Sequence, residues 1–357
     1  MSSPVIRSVA LFLDKDKLLD ANWHTYIEER INWFEETINT IISKGYKLFT
    51  KRVILPDLPV EKKVKVLDII NSEEILVSIG RVFLDTFVQK TVVDLVEQGY
   101  YVSLYGLEKD PVKNAYMASE IIHKASSNDP VYATRIAVAL HNELLETPYF
   151  PDTTSSGVEG VGFSFLFPKH MISYIEEHGD LDGYINLLAD TVKELRELVK
   201  ARGINRVFFD YSISPWMDDS VVELIEKLGY KLLSPGFNYG VYLLKKFIDN
   251  AVAKIGFSKG FNEVMLPYAE DNLLKKAGEM KLLKARDLLL YSVSCVAGPD
   301  MLVVPESIGD LARFILDTYS IYLIKRRPLA LRVIPVSMDI GDKLKLGKFG
   351  LVHVIGY

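Results

Sequence analysis

The sequence predicts an α/β fold in which short parallel strands are covered by long helices, and three observations carry that expectation. Brief, largely apolar runs recur along the chain, separated by longer segments with apolar residues at helical spacing; strands buried on both faces give this pattern, in a barrel or an open sheet. The composition is ordinary for a globular protein, with 49% of the 357 residues hydrophobic, 25% charged, and 15 prolines and 22 glycines dispersed among them. No Gly/Ser/Pro-rich linker divides the chain and no repeat of about 20 to 50 residues is present, so one domain over residues 1–357 is expected.

Taken in order, Val5 to Leu13 reads as a buried strand, and Ala21 to Ser43 as a helix with Ile27, Ile31, Phe34, Ile38, Ile41 and Ile42 on one face. Tyr46 to Leu55 is a strand closed by Pro56, Val60 to Ile70 a helix, and Ile79 to Glu97 a further helix ending at Gly99. Tyr100 to Leu107 reads as strand and Pro111 to Ser126 as helix, with Asn128-Asp129-Pro130 starting another helix that runs to about Glu146. A loop, Thr147 to Gly157, leads to a strand at Val161 to Phe167 and helix from His170 to Lys200. Val207 to Phe209 is a short strand ending at Asp210, followed by helix from Asp218 to Leu228. Later strands are expected at Glu263 to Leu266, Met301 to Val304 and Ala330 to Val336, and a terminal β-hairpin at Lys343 to Gly356.

Composition also excludes function classes. The formal net charge is −5 and basic runs are short, so nucleic acid, which binds clustered cations, is not an expected partner. The single cysteine, Cys295, excludes an intramolecular disulfide framework and cysteine-rich zinc sites. No segment reaches the roughly 20 apolar residues that would span a bilayer, and the N-terminal apolar run is broken by Asp14 without a signal-peptide pattern. A cytoplasmic protein with no membrane partner is expected. The many aromatics, 19 tyrosines and 17 phenylalanines, leave surplus apolar surface that a homo-oligomer would bury.

In folds of this class the binding and catalytic residues gather in loops at the carboxyl ends of strands. Four stretches place polar residues there: Asp210-Tyr211-Ser212-Ile213-Ser214-Pro215, Pro267 to Asn272, Cys295 to Asp300 and Thr147 to Gly157. Asp210 with Ser212 reads either as a turn acid accepting backbone hydrogen bonds or as a site carboxylate. Glu270, Asp271 and Asn272 stand where a helix begins, so capping competes with a pocket role. Cys295 is either a small buried hydrophobe or, beside a cation or helix N-terminus, a nucleophile. Asp300, after Gly298-Pro299, is a turn acid or an acid–base group. No dinucleotide fingerprint, phosphate loop, zinc-protease motif or nucleophile elbow is present. Of the six histidines only His170, at a strand end after Pro168, is a candidate site residue.

The C-terminal third then points to a family. FNEVMLPYAED, SCVAGPDMLVVPES, LALRVIPV and the Gly341-Asp342 turn resemble domain-of-unknown-function family 711, the UPF 0210 group. The likeness extends to Asp210-Tyr211-Ser212-Ile213-Ser214-Pro215 with Asp219-Ser220, and is most specific in the Cys295, Gly298, Asp300 spacing followed by Pro305-Glu306. The resemblance implies a fold similar to the pyruvate formate-lyase glycyl-radical enzymes, a barrel of about ten strands wrapped by helices. It implies a pocket but no reaction. The chain departs from the family pattern at Ser156-Gly157, where relatives have His-Gly, and at Phe165 to His170, where they have a glycine-rich turn. Glycyl-radical chemistry is not expected, because Val354-Ile355-Gly356-Tyr357 lacks the arginine of the radical loop and stands at the end of the sequence.

Three functional readings follow. In the first, an enzyme acts on a small polar metabolite, with Cys295, Asp300, Asp210 and Glu270 as catalytic groups and Ser212, Asp271, Asn272, Gly298 and His170 holding the substrate. The carboxylates would work as acid and base or hold a divalent cation such as Mg²⁺. In the second, the same pocket binds a metabolite without turnover. In the third, the protein is structural and its interior is closed by packing.

Overall fold

The structure, a computed structural model, describes residues 3–70, 72, 74–85, 88–294 and 296–357, with the side chains of 60, 88 and 89 left aside. Its strands are β1 (Val5–Phe12), β2 (Leu48–Ile54), β3 (Ile75–Phe83), β4 (Tyr101–Tyr105), β5 (Ile136–Ala139), β6 (Gly160–Leu166), β7 (Val207–Asp210), β8 (Leu302–Pro305), β9 (Ala330–Leu331), β10 (Val333–Val336), β11 (Lys343–Lys345) and β12 (Leu351–His353). The architecture is mixed α/β. A central sheet has the order β7-β6-β1-β2-β3-β4-β5-β9.

Two sets of strands meet in that sheet. β1 to β5 run parallel to one another. β6 is antiparallel to β1 and parallel to β7, and β9 is antiparallel to β5. β8 and β10 form a separate parallel pair, and β11 and β12 the expected C-terminal hairpin. The regular sheet does not close on itself among the described residues, so the ten-stranded barrel is met only as an eight-stranded, mostly parallel sheet. Beyond β7 the chain continues through single bridges, Phe209 to Ser258, Ile213 to Val264, Val264 to Val296 and Pro267 to Asp300. Ala330 of β9 in turn donates its N–H to Ala297 at 3.0 Å.

The two faces of the sheet differ. On one, Val9 and Leu11 of β1 and Val53 of β2 join a large core with the helices. On the other, Ala10, Phe12, Ile54, Tyr101 and Phe208 pack with Phe150 from the loop that follows β5. That loop is folded over the inner face, with the Pro148 carbonyl accepting from Ser8 Oγ at 3.3 Å and Arg52 Nη1 at 2.6 Å. Burying aromatics of this size contributes about 1.5–3 kcal/mol each, so the loop is held by packing and by polar bonds together.

Several boundaries differ from the sequence reading. The helix read over Ile79 to Glu97 is present as Val88–Glu97, but its first residues, Ile79 to Phe83, are the end of β3. ILVSIGRVF is a β-branched apolar run of strand length that helical spacing imitates. The helix begun at Pro130 stops at Ala133, because Ile136 to Ala139 pair with β4. The segment 170–200 is two helices, Pro168–His178 and Tyr184–Ala201, divided at Gly179 with φ 89°. Glu263 to Leu266 is held by isolated bridges rather than as a regular strand.

Candidate functional site

The direction of β7 places the site. Because β6 and β7 oppose β1 to β5, the chain leaving β7 at Asp210 arrives beside the amino ends of β1 and β2. Arg7 stands third on β1 and Arg52 fifth on β2, and Arg7 Nη1 donates to the Pro215 carbonyl at 2.5 Å. The loop after β7 therefore meets Arg7 near the amino end of β1, while Arg52, in the later half of β2, meets the loop after β5 through Pro148.

A buried ion network fills the junction. Glu270, in a short 3-10 turn, accepts from Arg7 Nη2 at 2.7 Å and from Arg332 Nη2 at 2.9 Å. Arg332, between β9 and β10, also grips Asp300 with two bonds, Nε to Oδ1 at 2.6 Å and Nη2 to Oδ2 at 2.8 Å. Paired, two-pronged contacts of this kind are the strong class of charged hydrogen bond. Burial alone would raise the Glu270 carboxyl, but the Arg332 and Arg7 guanidiniums outweigh it and hold the group below its ordinary range. Burial likewise works against the Arg332 cation, and Asp300 and Glu270 overcome it. Arg7 also lies over the rings of Tyr149 and Trp216, each 5.8 Å from the guanidinium carbon.

Beside this network is a cavity of about 60 Å³ whose lining includes Arg7, Arg52, Arg332, Lys348, Asp152 and Glu270. Arg52 is 7% exposed. It donates Nη1 to Pro148 and Nε to Thr50 Oγ1 at 3.0 Å, and its guanidinium rests 4.9 Å from the Phe150 ring centre. Burial, with Arg7 nearby, pulls its pKa down to about 10. Asp152 is partly buried; burial, then the charge of Asp300, raises its carboxyl to about 7. A second hollow of about 490 Å³ shares Leu76, Tyr101, Thr134, Lys348 and Phe349 with the small cavity.

The family described as Uncharacterised ACR (DUF711) matches residues 105–347. The chain belongs to that family. No curated protein matches it.

In this DUF711 protein the sequence-derived candidates separate into groups. Asp300 and Glu270 come together on Arg332. Asp210 and Ser212 do not line the cavity. The Asp210 carboxylate, fully buried at the end of β7, accepts from Thr147 Oγ1 at 2.6 Å, Ser212 Oγ at 2.6 Å, and the N–H groups of Ser212, Phe261 and Asn262 at 3.0 to 3.1 Å. Burial raises its pKa and these bonds oppose the rise. It thus ties the 147 loop and the 260 turn to β7. Gly260 has φ +102°, and a Cβ there would overlap the Asp210 carboxylate. Gly260→Ala is expected to destabilise the protein by about 1–3 kcal/mol, read as a lower midpoint in urea melts.

Asp271 caps two helices at once. It accepts from Val221 N at 3.0 Å and Leu273 N at 2.9 Å, and from the Ser220 hydroxyl at 2.8 Å; burial raises it to about 6 against those bonds. Asn272 Nδ2 donates to Asp218 Oδ1 at 2.6 Å on the surface. Gly298 sits where a Cβ would overlap the Ala330 carbonyl, a close backbone approach between two segments. His170 Nδ1 lies 2.6 Å from the Tyr184 hydroxyl, and it lines a separate hollow that shares no residue with the charged cavity. Cys295 lies outside the described residues. Among the described residues no three His, Cys, Asp or Glu side chains stand together as a metal site, and Glu270 and Asp300 give their oxygens to guanidiniums. Among those residues, too, no helix is long and apolar enough to cross a membrane.

Sequence reasoning missed Arg7, Arg52 and Arg332 as site residues, and singled out the Asp152 loop without the aspartate's role. The signal was present. Each arginine interrupts an apolar strand, at Ile6-Arg7-Ser8, Arg52-Val53-Ile54 and Leu331-Arg332-Val333, and a charge inside a buried strand needs a partner.

Proposed function

We propose that this protein is an enzyme that binds a small anionic metabolite in the charged cavity and moves a proton at Asp152. The observation that carries the reading is Arg52. It is buried and makes no ion pair among the described residues, and its Nη2 has no hydrogen-bond partner there. The nearby Glu270 charge acts on Arg52 but is held by Arg7 and Arg332; a buried charge with no direct partner is costly, and a carboxylate or phosphate group supplies one and accepts the free donor. Lys348, also on the lining, adds a second cation. Asp152, with its raised pKa, exchanges a proton near neutral pH, the condition for general acid–base work. A binding role without turnover uses the same residues except Asp152.

The fold implied by the sequence resemblance agrees with the same placement. The bridged segments from Ser258 to Asp300 continue the wall from β7 to Ala297, beside β9. We read them as irregular strands completing a barrel in one domain, as in the pyruvate formate-lyase fold, with the charged cavity at one mouth.

The test is calorimetric titration with acetate and with inorganic phosphate. Arg52→Met is expected to weaken binding about tenfold to a hundredfold, the loss of one charged hydrogen-bonded contact. The same substitution leaves the ligand-free protein as stable or up to about 4 kcal/mol more stable, since it removes a buried charge with no ion pair of its own. Equal affinity in the wild type and Arg52→Met, or no binding of either anion, would overturn the reading.

A further inference from the structure

We propose that the ligand is a zwitterion, a small amino acid whose carboxylate meets Arg52 and whose ammonium meets Asp152. The inference rests on the anion site above, keeps the acid group there and adds an opposite charge to the same molecule. Two side chains on the wall of one small cavity lack a partner of opposite sign. Arg52 makes no ion pair among the described residues, and its Nη2 has no hydrogen-bond partner there. Asp152 makes no ion pair among them either; Arg332, the cation that acts on it, is committed to Glu270 and Asp300. Nor do Arg52 and Asp152 pair with each other, although both face the same space.

Their surroundings unsettle them in opposite senses. Burial and Arg7 disfavour the Arg52 cation more than Glu270 favours it. Burial, Asp300 and Glu270 disfavour the Asp152 anion more than Arg332 favours it, and the Asp152 charge also acts on the buried Tyr105 of β4. A plain anion corrects only the first imbalance, because beside Arg52 it adds a like charge to the cavity that holds Asp152. An ammonium on the same molecule corrects the second, donating to the Asp152 carboxylate in charged hydrogen bonds. The lining as a whole agrees. Lys348 is exposed, and water screens it; the other charges are three of each sign, Arg7, Arg52 and Arg332 with Asp152, Glu270 and Asp300. A ligand with no net charge keeps that balance. The cavity, about 60 Å³, has room for about four to six water-sized groups at about 10–15 Å³ each, the size of glycine or alanine.

The experiment is calorimetric titration of the full-length protein with acetate and with glycine, alanine and β-alanine, which step the size of the ligand and the spacing of its charges. At least one amino acid is expected to bind tenfold or more tightly than acetate. The two kinds of probe also differ in the direction of proton flow. Near pH 7 Asp152 is about half ionised. Acetate adds a like charge, so Asp152 takes a proton from the buffer; the ammonium of an amino acid draws Asp152 into its ionised form, and a proton passes to the buffer. Titrations in imidazole and in triethanolamine, whose heats of ionisation differ, give that sign on the wild type alone. Arg52→Met is expected to weaken acetate and the amino acids alike, whereas Asp152→Asn removes the amino acid's gain and its proton release and leaves acetate bound. If acetate binds with Arg52 dependence but no amino acid binds more tightly, if the gain survives Asp152→Asn, or if the amino acid takes up a proton as acetate does, the zwitterion is overturned and the anion site stands. If neither acetate nor an amino acid binds, the anion site itself falls and the zwitterion with it.

Discussion

Arg332→Met is expected to lower the unfolding free energy by about 3–5 kcal/mol, the cost of breaking a buried ion network from one side. Arg332 is the shared cation of two carboxylates, Glu270 and Asp300. Methionine fills similar volume, so the loss measures charge left unpaired rather than a cavity. Urea melts give the size, and adding Glu270→Gln and Asp300→Asn in the same chain should restore much of it, because neutral amides no longer need a cation. The pH dependence follows from the depressed Glu270 pKa. Stability from that group is fully present above the unfolded-chain value, about 4.3, and is lost as pH falls through the folded value. In Arg332→Met this acid-side loss flattens. A drop under about 1 kcal/mol, the scale of a solvated surface pair, would show that water shares the network.

Asp152→Asn is expected to act in the opposite direction. The Asp152 carboxyl is raised to about 7 in the folded protein, so the folded state holds its proton more tightly than the unfolded chain does. Wild-type stability therefore falls as pH climbs from about 4, where the unfolded group titrates, to about 7, and the full penalty remains above that. Asparagine carries no charge and avoids it. At pH 8.5 the variant should be about 2–4 kcal/mol more stable than wild type, on a scale of about 1.4 kcal/mol per pKa unit. At pH 4 the two should coincide. Melting temperatures across that range test the sign, and parallel curves would remove Asp152 as a group that changes protonation near neutrality. Because Asp152 is the proposed proton carrier, the same variant should bind the anion and fail in turnover.

Much of the fold was legible because it depends on local pattern. Val5 to Leu13 and Val161 to Phe167 are apolar runs of strand length, and both are strands. Asp271 reads as a cap from its position alone, and caps are local. Glu270 and Asp300 were legible as acids at chain turns but not as partners, since Arg332 is 62 residues from one and 32 from the other. The half of the site contributed by β1 and β2 was hidden for a different reason. The rule that sites sit at the carboxyl ends of strands assumes one strand direction, and here two opposed sets meet, bringing Arg7 to the loop that follows β7. Periodicity does not report relative strand direction, so that meeting was invisible.

The strand order has a consequence for how the chain is made. β1 to β5 lie within residues 5–139 and leave the ribosome first, yet the outer strands of that set bond to partners encoded much later, β1 to β6 and β5 to β9. Unpaired sheet edges are templates for pairing with other chains. The nascent polypeptide therefore carries one open edge until residues 160–166 emerge and a second until residues 330–331 do. Protection from self-association during synthesis falls to the last tenth of the sequence, and a product stopped short of it keeps an adhesive border.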